Sequence, residues 1–241
     1  MTLSGKVAWV TGGGTGIGAA GARALAAAGA QVVVSGRRAD PLEALAREIG
    51  GRALALDVAD PQAIGAAADE IGPVDILVAS AGTNVPDRSL AKVSTEDWSR
   101  VVDVNLNGVF HATRAVLPGM RAQGGGVVML VSSWAGKYAT RLTGAAYNAS
   151  KHAVVALSES INIEEGANGI RSTVIMPGEV ATDILQSRPV PPSQEQMDRM
   201  LQAEDLGATI RFVAEMPARA CLNEILISPT WNRFYLGFDE L

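Results

Sequence analysis

The chain has 241 residues, 48% apolar and 19% charged, and its 20 Lys and Arg residues against 25 Asp and Glu residues give a formal net charge of −5. Apolar content at the upper end of the usual range, together with sparse charge, excludes intrinsic disorder and indicates a chain that is extensively buried. The acidic balance offers no basic surface to neutralise phosphates, so a nucleic-acid partner is not expected.

The single cysteine, Cys221, cannot form an internal disulfide, and a reducing compartment fits this composition. Residues 1–6 lack the basic start and apolar core of a signal peptide, and the apolar runs are shorter than the roughly 20 residues of a membrane span. We therefore expect a soluble cytoplasmic protein with no membrane partner. His111 and His152 stand in no cluster of carboxylates at ligand spacing, so no metal site is expected.

Seven short runs of mostly apolar, often β-branched residues predict buried strands, because apolar residues occupy successive positions. The predicted strands are residues 7–10, 32–34, 53–56, 76–79, 127–131, 172–175 and 224–227. Helical segments lie between them, and a strand-then-helix alternation over the whole chain predicts an α/β fold, a doubly wound parallel sheet with helices on both faces. We expect one domain over residues 1–241.

The sequence also predicts where several helices begin and where one long loop lies. Asp40 and Asp60 each precede a proline and are predicted helix caps, and residues 94–97 (Ser-Thr-Glu-Asp) resemble a capping box. The proline-rich stretch 188–193 is the longest irregular one, and a loop of that length in a compact domain typically serves as a lid or binding segment. We expect a substrate lid over residues 183–203.

A glycine-rich turn directly follows the first strand and opens an alanine-rich helix. Such glycines let the backbone approach a pyrophosphate, whose charge the free N–H groups and the dipole of the helix start then meet. The spacing G-x-G-x-x-G/A is met by Gly14, Gly16 and Ala19, and a dinucleotide site is the natural interpretation. The residues predicted to hold the phosphates are Gly12, Gly14, Thr15, Gly16, Ile17 and Gly18.

The end of the second strand indicates which dinucleotide is bound. An acidic residue there would accept hydrogen bonds from the ribose of NAD, whereas arginine pairs with the extra phosphate of NADP. This chain has Ser35, Arg37 and Arg38 and no acid. We therefore predict NADP(H); the alternative is that both arginines are solvated charges at a helix entry and that NAD is used.

Tyr147 and Lys151 lie four residues apart in a helical pattern and so share one helix face. A free phenol titrates near pH 10, and a neighbouring ammonium together with a positive nicotinamide ring would favour the phenolate. Tyr147 is thus a candidate acid or base. Upstream, Ser132 and Ser133 end the fifth predicted strand, where open parallel sheets bind ligands.

These motifs, above all Thr11-Gly12-x-x-x-Gly16-x-Gly18 and Tyr147-x-x-x-Lys151, resemble those of the short-chain dehydrogenase/reductase family. The resemblance implies a Rossmann-like fold, Ser133 as the catalytic serine, and Asn105 as the residue that holds a water connecting Lys151 to solvent. It thus implies a catalytic tetrad of Asn105, Ser133, Tyr147 and Lys151.

The same resemblance assigns further cofactor contacts. Asp57 and Val58 would contact adenine, and Ser80-Ala81-Gly82 stands where the family usually has Asn-Ala-Gly. Pro177-Gly178-x-Val180-x-Thr182 matches the segment that grips the nicotinamide carboxamide. Tyr147 and Lys151 would contact the cofactor as well, as would Asn105.

The resemblance implies reversible hydride transfer between nicotinamide and a carbonyl or carbinol carbon, with Ser133, Trp134 and Tyr147 facing the substrate; packing is the other interpretation for Trp134. Residues 220–233 resemble the ends of serine and 3-hydroxy acid dehydrogenases, and Arg141, Arg188 and Arg233 are candidate carboxylate ligands.

Four further expectations complete the sequence-based picture. The family resemblance implies a homotetramer or dimer. A cofactor-binding regulatory protein without activity is the alternative function, which the complete tetrad disfavours. Trp9 and Trp98 are expected in the core, and Cys221 is expected there as a small, unreactive residue.

Overall fold

The computed structural model describes residues 2–188 and 190–236, apart from the side chain of Ser187. A seven-stranded sheet forms its centre, in the order β3-β2-β1-β4-β5-β6-β7, and all neighbouring strands run parallel. The strands are β1 (Val7–Thr11), β2 (Gln31–Gly36), β3 (Arg52–Ala55), β4 (Ile76–Ala79), β5 (Gly126–Val131), β6 (Ile170–Pro177) and β7 (Glu224–Ile227). The predicted doubly wound, Rossmann-like α/β fold is confirmed, and every predicted strand has its counterpart.

Helices cover both faces of the sheet. They are α1 (Gly16–Ala27), α2 (Ala39–Ile49), α3 (Pro61–Ile71), α4 (Thr95–Val102), α5 (Gly108–Gln123), α6 (Ala145–Glu165), α7 (Gln194–Asp198), α8 (Ala203–Glu215) and α9 (Arg233–Leu236). One core cluster joins the sheet to α1, α2 and α8, and a second joins it to α3, α5 and α6. Successive strand residues point to opposite faces, so Val10 belongs to the first cluster and the fully buried Trp9 to the second.

This arrangement explains why the strands are uniformly apolar. Both faces of the sheet are covered by helices, so a strand residue is buried whichever way it points. In β4 all four residues are buried. Among the described helices, none is both long and apolar enough to cross a lipid bilayer.

Two of the three predicted helix caps are confirmed. Asp60 accepts hydrogen bonds from the N–H groups of Gln62 and Ala63, and Ser94 accepts one from the N–H of Asp97. The cap assignment of Asp40 was wrong, because α2 begins at Ala39, two residues earlier than predicted, and its N-cap residue is Arg38. Asp40 instead lies in the first turn, where its negative charge complements the helix dipole.

Two core assignments were also wrong. Trp98 is 37% exposed because α4 buries Val101 rather than its tryptophan. Cys221 is exposed, since it lies in the connection that precedes the edge strand β7. Trp9, in contrast, is confirmed as core, and its indole N–H donates to the hydroxyl of Ser35.

The strand order creates the position for a ligand site. The chain proceeds outward from β1 to β3 on one side and from β4 to β7 on the other, so neighbouring connections diverge at β1 and β4. A crevice opens at the carboxyl ends of strands at such a switch point.

Candidate active site

A cleft of about 500 Å³ runs along the carboxyl ends of the strands. This volume is within the range of small-molecule and cofactor sites. It brings together most of the residues singled out from the sequence, although they come from segments spread over more than half of the chain. The predicted residues that line it are Gly12, Gly14, Thr15, Gly16, Ile17, Gly18, Arg37, Arg38, Asp57, Val58, Ser80, Ala81, Gly82, Ser133, Tyr147, Lys151, Pro177, Val180 and Thr182.

Four predicted site residues do not line this cleft. Ser35 is fully buried within β2, where it accepts the hydrogen bond from Trp9, and Gly36 stands at the cleft in its place. Gly178 donates its N–H to Ile227 in the neighbouring strand. Asn105 and Trp134 are buried.

Sequence reasoning did not single out some other residues of the cleft wall. They lie in two kinds of place: directly after a strand, as Leu56 does, and within the expected lid after β6, where Asp183, Ile184 and Leu185 belong to a 3₁₀ turn. The rule that ligands bind at the carboxyl ends of parallel strands, applied to every strand, would have found the first kind.

The glycine turn after β1 is shaped by close backbone approach. A Cβ on Gly18 would lie under 3.0 Å from the carbonyl oxygen of Gly12, and one on Gly12 would lie 2.7 Å from the backbone nitrogen of Ala81. Gly16 has a φ of +53°, a conformation that side chains disfavour. Thr15 caps α1 without a side-chain hydrogen bond, so the first N–H groups of the helix face the cleft without a side-chain acceptor. This cradle fits the pyrophosphate of a dinucleotide.

Basic side chains stand at the end of the cleft beside β2. Arg37 and Arg38 are exposed and both line the cleft, and the Arg38 Nη2 lies 3.5 Å from the Thr15 Oγ1 of the glycine turn. The carboxylate of Asp57 on the opposite side accepts the N–H of Ala59. One wall of this end is thus positive, which suits an anionic group.

The opposite end of the cleft holds the hydroxyl and ammonium groups. Lys151 is buried on α6 and its Nζ donates to the carbonyl of Val131 at 2.8 Å, while the Ser132 Oγ donates to the carbonyl of Lys151 at 2.8 Å. These reciprocal bonds fasten α6 to the end of β5. The Nζ lies 5.6 Å from the centre of the Tyr147 ring, and Ser133 and Tyr147 both line this end of the cleft.

Asn105 lies in a π-helical turn, Asp103–Asn107, that joins α4 to α5. Its side-chain oxygen accepts the N–H of Thr83 at 2.7 Å and its amide donates to the carbonyl of Thr83 at 3.0 Å. Asn105 Oδ1 and Lys151 Nζ both approach the α-carbon side of Gly82, each 3.6 Å from where a Cβ would stand. The amide therefore fixes the segment after β4 beside the lysine.

The pKa of Tyr147 is set by different causes from those expected. Burial raises the pKa of this phenol above its ordinary value, and the hydrogen bond from Ser133 and the positive charges of Arg188 and Arg88 lower it only in part. The expected dominant effect of Lys151 is not among these causes. A protonated phenol is the form that donates a proton.

Burial lowers the pKa of the Lys151 ammonium from 10.5 to about 8. Between these values the unfolded chain binds a proton that the folded chain does not, so the free energy of unfolding contributed by this group rises with pH. We expect the stability of the wild type relative to Lys151→Met to increase by about 3 kcal/mol from pH 8 to pH 10.5, at about 1.4 kcal/mol per pKa unit. Urea unfolding of both proteins without cofactor measures this, and a pH-independent difference would contradict it.

A buried ion cluster lies beside this end of the cleft. Glu179, directly after Gly178, accepts hydrogen bonds at 2.7 Å from the Arg188 Nη1 and from the Arg233 Nε. The two guanidinium groups hold the pKa of the Glu179 carboxyl below its usual value, although burial alone would raise it. Glu179 thereby ties the segment after β6 and helix α9 to the strand end.

An aromatic cluster covers the same region. The Trp134 ring stacks on Phe234 with centroids 5.4 Å apart and meets Tyr235 edge-on at 5.3 Å, while Tyr138 lies 5.0 Å away. Trp134 directly follows Ser133, so α9 packs against the residue next to this serine. Arg141, in contrast, is exposed.

The fold and this cleft define a Rossmann-like α/β protein with a nucleotide-type crevice, and comparisons with known proteins agree. The family model for short chain dehydrogenases matches residues 6–191. The chain belongs to the short-chain dehydrogenase/reductase family and is an oxidoreductase that acts on CH–OH groups.

Similar proteins include a glycine betaine reductase from Emericella nidulans, which is 38% identical over 94% of this chain. The match covers only 19% of that much longer reductase. A 3-oxoacyl-[acyl-carrier-protein] reductase from Synechocystis is 35% identical, over 90% of this chain and 92% of that one. The closed form of serine dehydrogenase complexed with NADP+ superimposes with a TM-score of 0.85 at 29% identity, over 92% of this chain and 94% of the other. These relationships indicate a nicotinamide cofactor.

Proposed function

We propose that the protein is an NADP(H)-dependent oxidoreductase that interconverts a ketone or aldehyde with a secondary alcohol or hydroxy acid, with Tyr147 as general acid and base. The observation that carries this proposal is the convergence of Ser133, Tyr147 and Lys151 at one end of a cleft whose other end is a glycine cradle. The two ends match the two tasks of such an enzyme, which are to hold a dinucleotide and to exchange a proton.

The cofactor, when bound, supplies or accepts the hydride, and the residues of this chain perform the rest. Tyr147 donates its phenolic proton to the oxygen of the carbonyl as that oxygen gains negative charge. Ser133 donates a hydrogen bond to the same oxygen and holds it beside the phenol. In oxidation the same groups work in reverse, and the phenolate receives the proton of the alcohol.

Lys151 and Asn105 support this proton exchange. The Lys151 ammonium, which donates to the carbonyl of Val131, would hold the nicotinamide ribose. Asn105 fixes the segment after β4 beside that ammonium and, as family members do, would hold the water that connects it to solvent. Pro177, Gly178, Val180 and Thr182 would hold the nicotinamide end.

The preference for NADP(H) rests on charge. Arg37 and Arg38 line the cleft beside the glycine turn, and no acid stands at the end of β2 to bond a ribose hydroxyl. Arg38 reaches Thr15, so a phosphate between the two segments would meet a guanidinium and a hydroxyl. Asp57, Val58, Ser80, Ala81 and Gly82 complete the adenosine side of the cleft.

The cellular compartment, the oligomeric state and the lid are also proposals. We assign the enzyme to the cytoplasm because its one cysteine needs no oxidising compartment. A homotetramer or dimer would form on the long helices α5 and α6, which expose Phe110 (43%) and Ile163 (83%). Residues 183–203 would act as a lid within a single domain; they include the 3₁₀ turn and α7 and are joined to the strand end by the bridge between Val180 and Leu201.

A panel of ketones, aldehydes and hydroxy acids, each assayed with NADPH or NADP+ and with NADH or NAD+, tests the function. We expect turnover with a higher kcat/KM for the phosphorylated cofactor. A clear preference for NADH would replace the cofactor assignment, and cofactor binding without turnover across the panel would favour a regulatory protein.

Substitution of Arg38 by Ala, and of Arg37 by Ala, tests the phosphate contact. Loss of an arginine–phosphate pair is worth roughly 1.5–3 kcal/mol, so kcat/KM for NADPH should fall about 10- to 100-fold. Steady-state kinetics with NADH should change little, because NADH has no such phosphate. The matched control is Arg47→Ala, which removes an exposed arginine of α2, the helix that follows Arg38; among the described residues Arg47 pairs only with Glu43. Equal losses with both cofactors would contradict the contact.

A further inference from the structure

A buried carboxylate lies inside residues 177–182, the segment that would hold the nicotinamide end of the cofactor and is called the nicotinamide segment below. Glu179 stands between Gly178 and Val180 and is 4% exposed. Val180 lines the cleft, whereas Glu179 does not. Burying a carboxylate is costly unless charged partners compensate it, so a glutamate at this position depends on its surroundings.

Two arginines from later parts of the chain enclose this carboxylate. The Arg188 Nη1 donates to its Oε1 and the Arg233 Nε donates to its Oε2, both at 2.7 Å. A second donor of Arg233, Nη2, also bonds the Oε1, so this guanidinium binds the carboxylate as a planar fork. Both arginine side chains are only 10% exposed. The carboxylate is therefore held in one orientation, largely shielded from water.

The backbone around Glu179 is fixed as well. Its carbonyl accepts the N–H of Leu201 at 3.1 Å, and the N–H of Ala181 donates to the carbonyl of Leu201 at 2.8 Å. Thr182, at the end of the segment, lies against the glycine turn, where its Cγ2 would be 3.1 Å from a Cβ on Gly16. The nicotinamide segment thus runs from the buried ion cluster to the start of α1.

The carboxylate joins three parts of the active site. Its own residue belongs to the nicotinamide segment, Arg188 belongs to the proposed lid, and Arg233 begins α9. The next residue of α9, Phe234, stacks on Trp134, which directly follows Ser133. One buried charge therefore connects the cofactor side of the site to the lid and to the neighbour of the proposed catalytic serine.

A neutral residue of the same shape could not make these bonds. Burial raises the pKa of the Glu179 carboxyl, but the hydrogen bonds and charges of the two arginines outweigh burial and hold the pKa below its usual value. In glutamine one of the two oxygens becomes an N–H donor, so at least one guanidinium N–H would meet a donor instead of an acceptor. The donors must then separate, which displaces the backbone to which the side chain is attached.

We propose, resting on the function proposed above, that Glu179 is a positioning residue for the nicotinamide end of the cofactor. Its side chain fixes the nicotinamide segment from the side away from the cleft, while Val180 and Thr182 line the cleft itself. The hold on adenosine and phosphates depends on the other end of the cleft. Loss of the carboxylate therefore weakens the hold on the nicotinamide alone.

Ligands that carry or lack the nicotinamide test this role. NADPH is compared with 2′-phospho-ADP-ribose, and NADH with ADP-ribose, by calorimetric titration of the wild type and of Glu179→Gln. The pair used is the one whose dinucleotide the wild type binds more tightly. We expect the Kd of the truncated ligand divided by the Kd of the dinucleotide to fall about fivefold or more in the variant, with the truncated ligand bound as before. A smaller fall in a folded Glu179→Gln protein would overturn the proposal.

Glu165→Gln is the matched control. Glu165 is also a buried carboxylate and also pairs with an arginine, Arg121, but it ends α6 and does not line the cleft. We expect both variants to unfold at a lower temperature than the wild type, because each loses a buried charged partner. Only Glu179→Gln should lower the ratio of the two Kd values. An equal fall in both variants would assign Glu179 a merely structural role.

Arg188→Gln is the second variant, used if Glu179→Gln does not fold. It keeps the carboxylate and its fork with Arg233, and we expect the same ratio to fall about twofold or more. A smaller change would overturn the proposal. All these measurements are independent of turnover. A wild type that bound neither dinucleotide would overturn the proposed function and this role with it, whereas an unchanged ratio would overturn only the role of Glu179.

Discussion

Replacement of Tyr147 by Phe should lower kcat by about 10²- to 10⁴-fold, the range ordinarily contributed by a positioned acid or base. Tyr147 lines the cleft, and phenylalanine removes only its hydroxyl oxygen. The Kd for NADPH should change little, because the glycine cradle and the arginines beside β2 are untouched. Steady-state kinetics and fluorescence titration of NADPH measure the two quantities.

Tyr138→Phe is the matched control for this experiment. Tyr138 is 48% exposed and packs against Trp134 through its ring, so loss of its hydroxyl should leave kcat within about twofold. Turnover retained by Tyr147→Phe, with Tyr138→Phe unaffected, would remove Tyr147 from the proton transfer. A loss of NADPH binding in Tyr147→Phe would instead assign the residue a cofactor-binding role.

Replacement of Gly18 by Ala should abolish tight cofactor binding. The new methyl group would lie under 3.0 Å from the carbonyl oxygen of Gly12, a backbone atom that cannot move without opening the turn. Displacement of the turn misdirects the N–H groups at the start of α1, so we expect the Kd for NADPH to rise by about 100-fold or more, a loss of about 3 kcal/mol. Fluorescence titration of NADPH measures it.

The control for this substitution is another helical glycine with open space. A Cβ on Gly65, in α3, would meet nothing within 4 Å, so Gly65→Ala should leave the Kd unchanged and raise stability slightly. Thermal unfolding of both variants separates a local effect from loss of the fold. Unaltered NADPH binding by a folded Gly18→Ala protein would refute the pyrophosphate cradle.

Much of the candidate site was predictable because its residues occur in local motifs. The glycine turn needs only neighbouring residues to acquire its shape, and Tyr147 and Lys151 share a helix face by spacing alone. Seven apolar runs were enough to predict a covered parallel sheet, and the direction of parallel strands then brings every strand end to one edge. These inferences depend on backbone periodicity, which the order of residues specifies directly.

Other features depend on contacts between distant segments. Ser35 was expected to contact the cofactor. In the observed register of β1 and β2, however, its hydroxyl accepts the hydrogen bond from the indole N–H of Trp9. Trp98 and Cys221 have apolar character and are exposed, because burial depends on which face of an element meets the core. Neither the partner of Ser35 nor the exposure of Trp98 and Cys221 can be predicted from neighbouring residues in the sequence.

The amino-acid sequence by itself therefore determined the fold class, the cradle at the start of α1 and the tyrosine–lysine pair, since each follows from residues within a few positions of one another. Only the tertiary structure decided that Glu179 pairs with Arg188 and Arg233, the latter 54 positions away, and that Arg88 lies beside Tyr147. Charges that far apart in the chain interact only after folding has brought them together and removed the water between them.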